Sequence, residues 1–246
     1  MGTSLKYHRP VAEVVAAKFG NSFALMCVAW VLSGILGLVL GIVAGYFKNR
    51  LPARLIRGYA LLLASTPAFW IGLLLLMVFA VWLGWLPFGM NLPAGMTAAE
   101  AGIGVRIRHL ILPALTLGLT GVANITLHTR EKMIAIMESD YVLFARARGE
   151  SDWSILRRHG LRNILLPAMT LQFASVSEII GGSVLVEQVF SYPGLGQAAV
   201  TAGLGSDVPL LLGITVVTAV IVAAGNLAAN VLYGVIDPRI REGAKR

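Results

Sequence analysis

The chain has 246 residues, of which 57% are hydrophobic and only 13% are charged, and its formal net charge is +8. Soluble domains are about 25% charged, so this composition excludes an ordinary soluble domain and is typical of a polytopic membrane protein. The distribution of the positive charges is explained by membrane topology, which argues against nucleic-acid binding.

Five apolar runs are long enough to cross a bilayer, because a spanning helix needs about 20 mostly apolar residues. We predict spans at about 23–47, 59–83, 110–129, 164–186 and 210–236. The segments between them are short. The sequence therefore predicts an all-α membrane protein with one transmembrane domain over residues 1–246 and an external segment at 1–22.

Two of these spans carry residues that shape helix packing. Gly37, Gly41 and Gly45 recur at four-residue spacing in the first span, which predicts that another helix backbone approaches this face closely. Pro67 lacks a backbone donor and lies inside the second span, so we predict a bend in that helix.

Lysine and arginine are distributed unequally between the two sides of this five-span topology. The side of the N-terminus holds five of them and the opposite side holds fifteen. The positive-inside rule therefore places the C-terminus in the cytoplasm and the N-terminus outside. Residues 1–22 show no signal-peptide pattern, so we expect a further helix upstream of this chain to carry them across the membrane.

The most polar segment lies between the third and fourth spans, at about 139–163. It contains five arginines, of which Arg146, Arg148, Arg157 and Arg158 accompany three small residues, Ala145, Ala147 and Gly149. Small residues allow a short helix to lie close against another protein, and Gly149 can end such a helix in a left-handed conformation. We favour a docking role for this loop over a basic patch that only faces lipid.

Glu178 is the most costly residue in the predicted spans, because an ionised carboxylate at mid-membrane costs about 2.5 kcal/mol or more. Ser175, Glu178 and Gly182 share one face at helical spacing, which we expect to face the protein interior or a translocation path. Two readings of Glu178 stay open, a hydrogen-bonded group between packed helices and a group that lines the path. Glu187, nearer the external end, is not expected to have a special role.

No catalytic constellation is recognisable in the sequence. The four histidines do not have metal-ligand spacing, and no GxxxxGKS/T-type phosphate loop occurs. We therefore expect a protein that is not an enzyme and has no cofactor and no metal site. An intramembrane protease would need a serine with a base at membrane depth, and no serine is a preferred candidate.

The polar loop resembles the EAA loop of ABC importer permeases, in the form found in the dipeptide, oligopeptide and nickel branch. Further similar segments follow in the family's order, at SLKYHRPV (4–11), STPAFWIGLLL (65–75), LPALTLGL (112–119), VEQVFSYPGLG (186–196) and LYGVIDPRIR (232–241). The last two look more like the first of the two permease subunits in such systems. The chain departs from the family at Leu143, where the general signature has Glu, at Glu178, and in lacking an N-terminal helix.

This resemblance implies the type I ABC importer transmembrane fold, with five spanning helices and a cytoplasmic coupling-helix loop. The expected function is that of a permease subunit in an ATP-driven, binding-protein-dependent importer of the bacterial inner membrane. The expected cargo is a small peptide or a nickel or other metal chelate, and ATP hydrolysis is expected in a separate subunit.

Several partners and site residues follow from the same resemblance. The expected partners are a second permease in a heterodimer, two cytoplasmic ATPase subunits, an external solute-binding protein and membrane lipid. Coupling to the ATPase is assigned to Ala145, Arg146, Ala147, Arg148 and Gly149. The alternative function is a proton-coupled secondary transporter that uses Glu178.

Overall fold

The computed structural model describes residues 2–93, 95–96 and 100–236, and every named element within them is a helix. The helices are α1 (Val11–Tyr46), α2 (Leu51–Ser65), α3 (Ala68–Leu75), α4 (Ile103–Met137), α5 (Asp140–Ala147), α6 (Asp152–Ile155), α7 (Leu161–Ala174), α8 (Val176–Val189), α9 (Leu195–Leu204) and α10 (Val208–Ile236). Helices α3 and α6 continue as π-helical segments, Leu76–Trp82 and Leu156–Gly160. The DPRIR part of the predicted C-terminal motif, at 237–241, lies outside the described residues.

Three helices, α1, α4 and α10, are long and apolar enough to cross a membrane by themselves. Two further pairs are each bent at a short break, Leu51–Ser65 with Ala68–Trp82 and Asn163–Ala174 with Val176–Val189. If each bent pair counts as one span, the number of spans rises to as many as five. The all-α polytopic class predicted from the sequence is confirmed.

The helices extend beyond the predicted apolar spans. Helix α1 begins at Val11, so the predicted external segment 1–22 is helical from that residue onward. Helix α4 begins at Ile103, which places Pro113 inside the helix. Hydropathy locates only the part of a helix that meets hydrocarbon, whereas the backbone hydrogen bonds continue into the polar region.

The second predicted span is interrupted at Pro67. Helix α2 ends at Ser65, and Pro67 precedes α3 with an extended backbone of φ −60° and ψ 140°. Proline cannot donate to the helical ladder and disfavours helical geometry in the residue before it. The predicted bend at Pro67 is confirmed.

Backbone contacts divide the chain into two units. The first unit comprises Met1–Val31, Thr66–Leu119 and Ser177–Ala224. Its main core holds buried side chains from α1, α4 and α8, including Leu25, Leu117 and Val186. A second core in the same unit joins the start of α1 to α9 and α10.

The second unit comprises Leu32–Ser65, Thr120–Val176 and Gly225–Arg246. Within it, the glycine face of α1 lies directly on α4. A Cβ atom added to Gly37 would lie only 2.7 Å from Cβ of Ile125, and Gly41 and Gly45 face Thr129 and Met133 in the same way. The predicted close approach of a second helix to this face is confirmed.

Candidate functional site

The predicted coupling loop contains a short helix, α5, that ends in a glycine turn. Gly149 has a φ of +83°, which places it in the left-handed region. Its N–H donates to the carbonyl of Arg146 at 2.9 Å, and the N–H of Glu150 donates to the carbonyl of Ala145 at 3.1 Å. These two bonds form a Schellman motif, in which only glycine avoids a steric penalty. The predicted left-handed end of this helix at Gly149 is confirmed.

Ala145 faces the inside of the loop. Its side chain is 1% exposed and packs with the buried Val142 and Ile155. A larger side chain at 145 would hold α5 away from α6, so the small residue is needed for packing within this chain. Ala147 and Gly149 remain exposed to solvent.

Two large apolar side chains of α5 point away from this small core. Leu143 is 64% exposed and Phe144 is 68% exposed. Neither residue was predicted to form a contact surface: Leu143 was noted only as a departure from the family signature, and Phe144 was not considered. The apolar sequence pattern did indicate an exposed apolar side chain here, because three consecutive apolar residues from Val142 to Phe144 cannot all face one side of a helix.

Two of the loop's arginines form ion pairs within the loop. Nε of Arg146 lies 2.8 Å from Oδ1 of Asp152, and Nη2 of Arg148 lies 3.2 Å from Oε1 of Glu150. Exposed pairs of this kind stabilise a protein by about 0–1 kcal/mol. Their main effect here is to orient the two guanidinium groups and to offset their charge.

The three predicted path residues do not lie on one continuous helix. Helix α7 ends at Ala174, and Ser175 has a ψ of −5° and donates its hydroxyl to the carbonyl of Gln172 at 2.8 Å. The assumption that one helix runs through Ser175 is therefore wrong, because this serine hydroxyl bonds to the backbone at a helix end. Glu178 lies exposed in the first turn of α8, where the helix dipole favours a carboxylate. Gly182 lies one turn later and faces Leu117.

Glu187, which the sequence analysis set aside, is the centre of a buried hydrogen-bond network in the first unit. Its side chain is 0% exposed. It accepts a hydrogen bond from the Ser22 hydroxyl at 2.6 Å and another from the Gln197 N–H at 2.9 Å. The Ser22 oxygen in turn accepts the Leu195 N–H at 2.7 Å. Two of the N–H groups that α9 leaves unpaired at its start are thus satisfied from α8 and α1.

The glycines of the PGLG segment allow the backbone at the start of α9 to approach the Glu187 carboxylate and α8 closely. A Cβ atom on Gly194 would collide with the Glu187 carboxylate, and one on Gly196 would lie 2.6 Å from Cα of Val184. Tyr192 is buried beside them, and burial, followed by the charge of Glu187, raises its pKa to about 12. The sequence feature that could have revealed this site is the acidic residue Glu187 shortly before the PGLG segment.

A second buried carboxylate, Asp207, joins the N-terminal segment to α10. It is 0% exposed and accepts hydrogen bonds from the Ser4 hydroxyl, from the Lys6 N–H at 3.0 Å and from the Leu210 N–H at 3.2 Å. Burial alone would raise the pKa of Asp207, but these hydrogen bonds lower it to about 2. Ser4 belongs to the SLKYHRPV segment, so the contact explains why that segment contains a serine.

One cavity of the first unit lies beside the Glu187 network. It has a volume of about 180 Å³, and Ser22, Gly181 and Ser183 are among the residues that line it. Glu178 and Gly182 are not among its lining residues. Across the described residues, no group of three His, Cys, Asp or Glu side chains could hold a metal ion.

The fold and the loop together define a polytopic membrane transport protein. The chain belongs to the family of binding-protein-dependent transport system inner membrane components, whose model matches residues 37–242. This result confirms the family that the sequence resemblance predicted.

Similar proteins of known name include permeases of peptide transport. The chain is 40% identical to the oligopeptide transport system permease protein AppB of Bacillus subtilis, over 97% of this chain and 75% of that protein. It is 35% identical to the glutathione transport system permease protein GsiC of Escherichia coli K12, over 98% of this chain and 74% of that protein.

Solved structures show the same fold at low sequence identity. An inward-facing structure of the MetNI methionine ABC transporter matches with a TM-score of 0.71 and 14% identity, over 91% of this chain and 96% of that chain. An amino acid ABC transporter matches with a TM-score of 0.62 and 14% identity, over 93% and 94% of the two chains. The protein therefore has the type I ABC importer transmembrane fold.

Proposed function

We propose that this protein is the transmembrane permease subunit of an ATP-driven importer whose cargo is a small peptide. Membership of the binding-protein-dependent family supports the transport role. Relatives named for oligopeptide and glutathione transport favour a peptide over the nickel or metal chelate that the resemblance also allowed. The ATP chemistry is assigned to a separate subunit.

The proposed assembly contains a second, similar permease, two cytoplasmic ATPase subunits and an external solute-binding protein. The fifteen basic residues on one side of the predicted topology support a cytoplasmic C-terminus and an external N-terminus. In this orientation the loop that contains α5 and α6 faces the ATPase subunits. In the same orientation, the turn between α8 and α9, whose start is hydrogen-bonded to Glu187, faces the external side of the membrane.

The observation that carries this proposal is the construction of the loop. Helices α5 and α6 are fastened to each other by Val142, Ala145 and Ile155, so the loop can move as one body. The same construction leaves Leu143 and Phe144 exposed. A rigid helix pair with an apolar outer face is suited to sit in a groove of another protein and to transmit that protein's movement.

The proposed coupling residues take different roles in this loop. Ala147 and Gly149 allow close approach of the ATPase, and Arg146 and Arg148 supply polar contacts at the edge. Ala145 acts from inside the loop, where it sets the distance between α5 and α6. Phe144 adds the apolar contact.

The proposed translocation path follows α8. Glu178 and Gly182 lie one turn apart on this helix, so they share a face, and Ser175 marks the break before it. We assign path lining to these three residues. If Glu178 instead carried protons in a secondary transporter, uptake would collapse with an uncoupler at constant ATP, whereas an ATP-driven importer would continue.

The coupling proposal is tested with Phe144→Gln in the complete transporter in proteoliposomes. Phe144 is exposed, so this change should leave insertion and thermal stability intact while lowering both peptide uptake and peptide-stimulated ATP hydrolysis at least tenfold. The matched control is Leu55→Gln on α2, since Leu55 is 65% exposed and lies outside the loop. Equal uptake by Phe144→Gln and the wild type would contradict the proposal.

A further inference from the structure

Four of the loop's arginines, Arg146, Arg148, Arg157 and Arg158, fall into two pairs with different surroundings. Arg146 and Arg148 have carboxylate partners within the loop, as described above. Arg157 and Arg158 lie in the π-helical segment after α6, and both are exposed. Within the described part of the chain, no carboxylate lies within 4.0 Å of either guanidinium group. These two charges therefore remain available to an anion from outside the chain.

Arg157 and Arg158 border a cleft of about 480 Å³. The other lining residues are Ser151, Trp153 and Ser154. The Ser151 oxygen accepts the Ser154 N–H at 3.4 Å, which leaves the Ser151 hydroxyl proton free to donate outward. The lining thus combines two guanidinium groups with two hydroxyls and contains no carboxylate. Guanidinium and hydroxyl donors are the groups that recognise phosphate oxygens.

The position of the cleft indicates where such a phosphate would come from. Helix α7 begins at Leu161, three residues after Arg158, and the bent membrane pair begins at Asn163. Trp153 is 67% exposed at the edge of the cleft. Exposed tryptophan and arginine side chains beside the end of a membrane helix are characteristic of the level of the lipid headgroups.

We propose that this cleft binds the phosphate of an anionic phospholipid headgroup. Arg157 and Arg158 hold the phosphate, Ser151 and Ser154 complete the set of donors, and the Trp153 ring lies against the upper part of the acyl chains. The site holds the loop at a fixed depth relative to the membrane. It is separate from the proposed ATPase contact, which uses Leu143 and Phe144 of α5.

The proposal is tested with the purified full chain in detergent by native mass spectrometry, with phosphatidylglycerol and phosphatidylcholine as probes. At about 1 kcal/mol for each arginine, the double change Arg157→Gln with Arg158→Gln should weaken phosphatidylglycerol binding on the order of thirtyfold. The matched control, Arg54→Gln with Arg57→Gln, removes two exposed arginines of α2. It should bind phosphatidylglycerol like the wild type, and phosphatidylcholine should bind weakly to all three proteins.

A second measurement does not depend on the folding of the arginine variant. Phosphatidylglycerol with brominated acyl chains should quench a part of the wild-type tryptophan fluorescence that is absent in Trp153→Phe. Identical quenching of the wild type and Trp153→Phe would overturn the proposal.

Three further outcomes would also overturn it. If both double variants bind phosphatidylglycerol as the wild type does, the bound lipid is not held by the cleft. If inorganic phosphate binds to the cleft as tightly as the lipid does, the ligand is a soluble phosphate. If the arginine variant keeps its lipid and instead fails to bind the ATPase subunit, the cleft belongs to a protein interface.

Discussion

The carboxylate of Glu187 accepts the hydroxyl of Ser22 at 2.6 Å, across 165 residues of sequence. The same hydroxyl oxygen accepts the N–H of Leu195, so one hydrogen-bond chain joins α1, α8 and the start of α9. A buried carboxylate is costly unless its oxygens are bonded, and here both of them are. The arrangement fixes the turn between α8 and α9 to two apolar helices, α1 and α8.

Replacing Glu187 with Gln should destabilise the protein by about 2 kcal/mol. A glutamine has only one acceptor oxygen, so its NH₂ group would face a second donor, either the Ser22 hydroxyl or the Gln197 N–H. The variant would also lose hydrogen bonds to a charged group, which are stronger than those to a neutral one. Thermal unfolding in detergent measures this loss. Glu13→Gln is the control, because Glu13 forms only an exposed pair with Arg9.

A double-mutant cycle that combines Glu187→Gln with Ser22→Ala tests whether the two residues act as one hydrogen-bonded unit or independently. The two changes should be less damaging together than the sum of the single changes, by at least about 0.5 kcal/mol, because they remove the same bond. Strict additivity would show that Ser22 and Glu187 do not act as a unit.

Leucine at position 145 should lower the stability of the protein, whereas leucine at position 147 should leave stability unchanged and lower coupling. Ala145→Leu overpacks the buried contact with Ile155 and should cost about 1–3 kcal/mol. Ala147→Leu lies on the exposed side, so it should leave the unfolding temperature unchanged but lower peptide-stimulated ATP hydrolysis. Unfolding curves of both variants, together with ATPase assays of the assembled transporter, measure the difference. A stable Ala145→Leu protein would mean that α5 does not pack on α6 as described.

Adding one methyl group to α1 should be harmful at Gly37 and harmless at Gly20. A Cβ atom at Gly37 would lie within 3 Å of Ile125, so Gly37→Ala must separate α1 from α4 at a cost of about 1–3 kcal/mol. Gly20 has no atom within 4 Å of the added position, and alanine is the better helix former. The unfolding temperatures of the two variants in detergent give a direct comparison. Equal temperatures would contradict the close packing.

Asp207 should make the attachment of the N-terminal segment sensitive to acid. Its pKa is lowered from 3.8 to about 2 in the folded protein, so its stabilising effect is complete above pH 4 and is lost as the pH falls toward 2. The protection of the Lys6 amide against hydrogen exchange, relative to the intrinsic exchange rate at each pH, should therefore fall across this range. In Asp207→Asn this protection should be low already at neutral pH and should change little with acid, and strong protection of the Lys6 amide in that variant would argue against the contact.

The features that the sequence predicted correctly depend on local chemistry. Gly149 ends α5 because only glycine enters the left-handed region freely, and Pro67 interrupts its helix because it lacks a backbone donor. The glycine repeat of α1 indicates close packing through its periodicity alone. None of these inferences needed the identity of a distant partner.

The features that were missed depend on residues far apart in the chain. Glu187 looked unremarkable because its partner Ser22 lies on another helix, and the sequence does not show that contact. Ala145 was taken for a surface residue because its contact with Ile155 arises only after the Gly149 turn has folded α6 back. Ser175 and Glu178 were placed on one continuous helix because the sequence does not show that α7 ends at Ala174, before both of them.

The Schellman turn at Gly149 also determines what a partner protein can recognise. The carbonyls of Ala145 and Arg146 already accept hydrogen bonds from the turn, so this end of α5 has little unmet need for a backbone contact with another chain. In the proposed coupling role, selection among several ATPase subunits in one cell would then depend mainly on side chains such as Leu143 and Phe144. These side chains can change without disturbing the backbone, so related importers can evolve separate pairings while the shape of the loop stays the same.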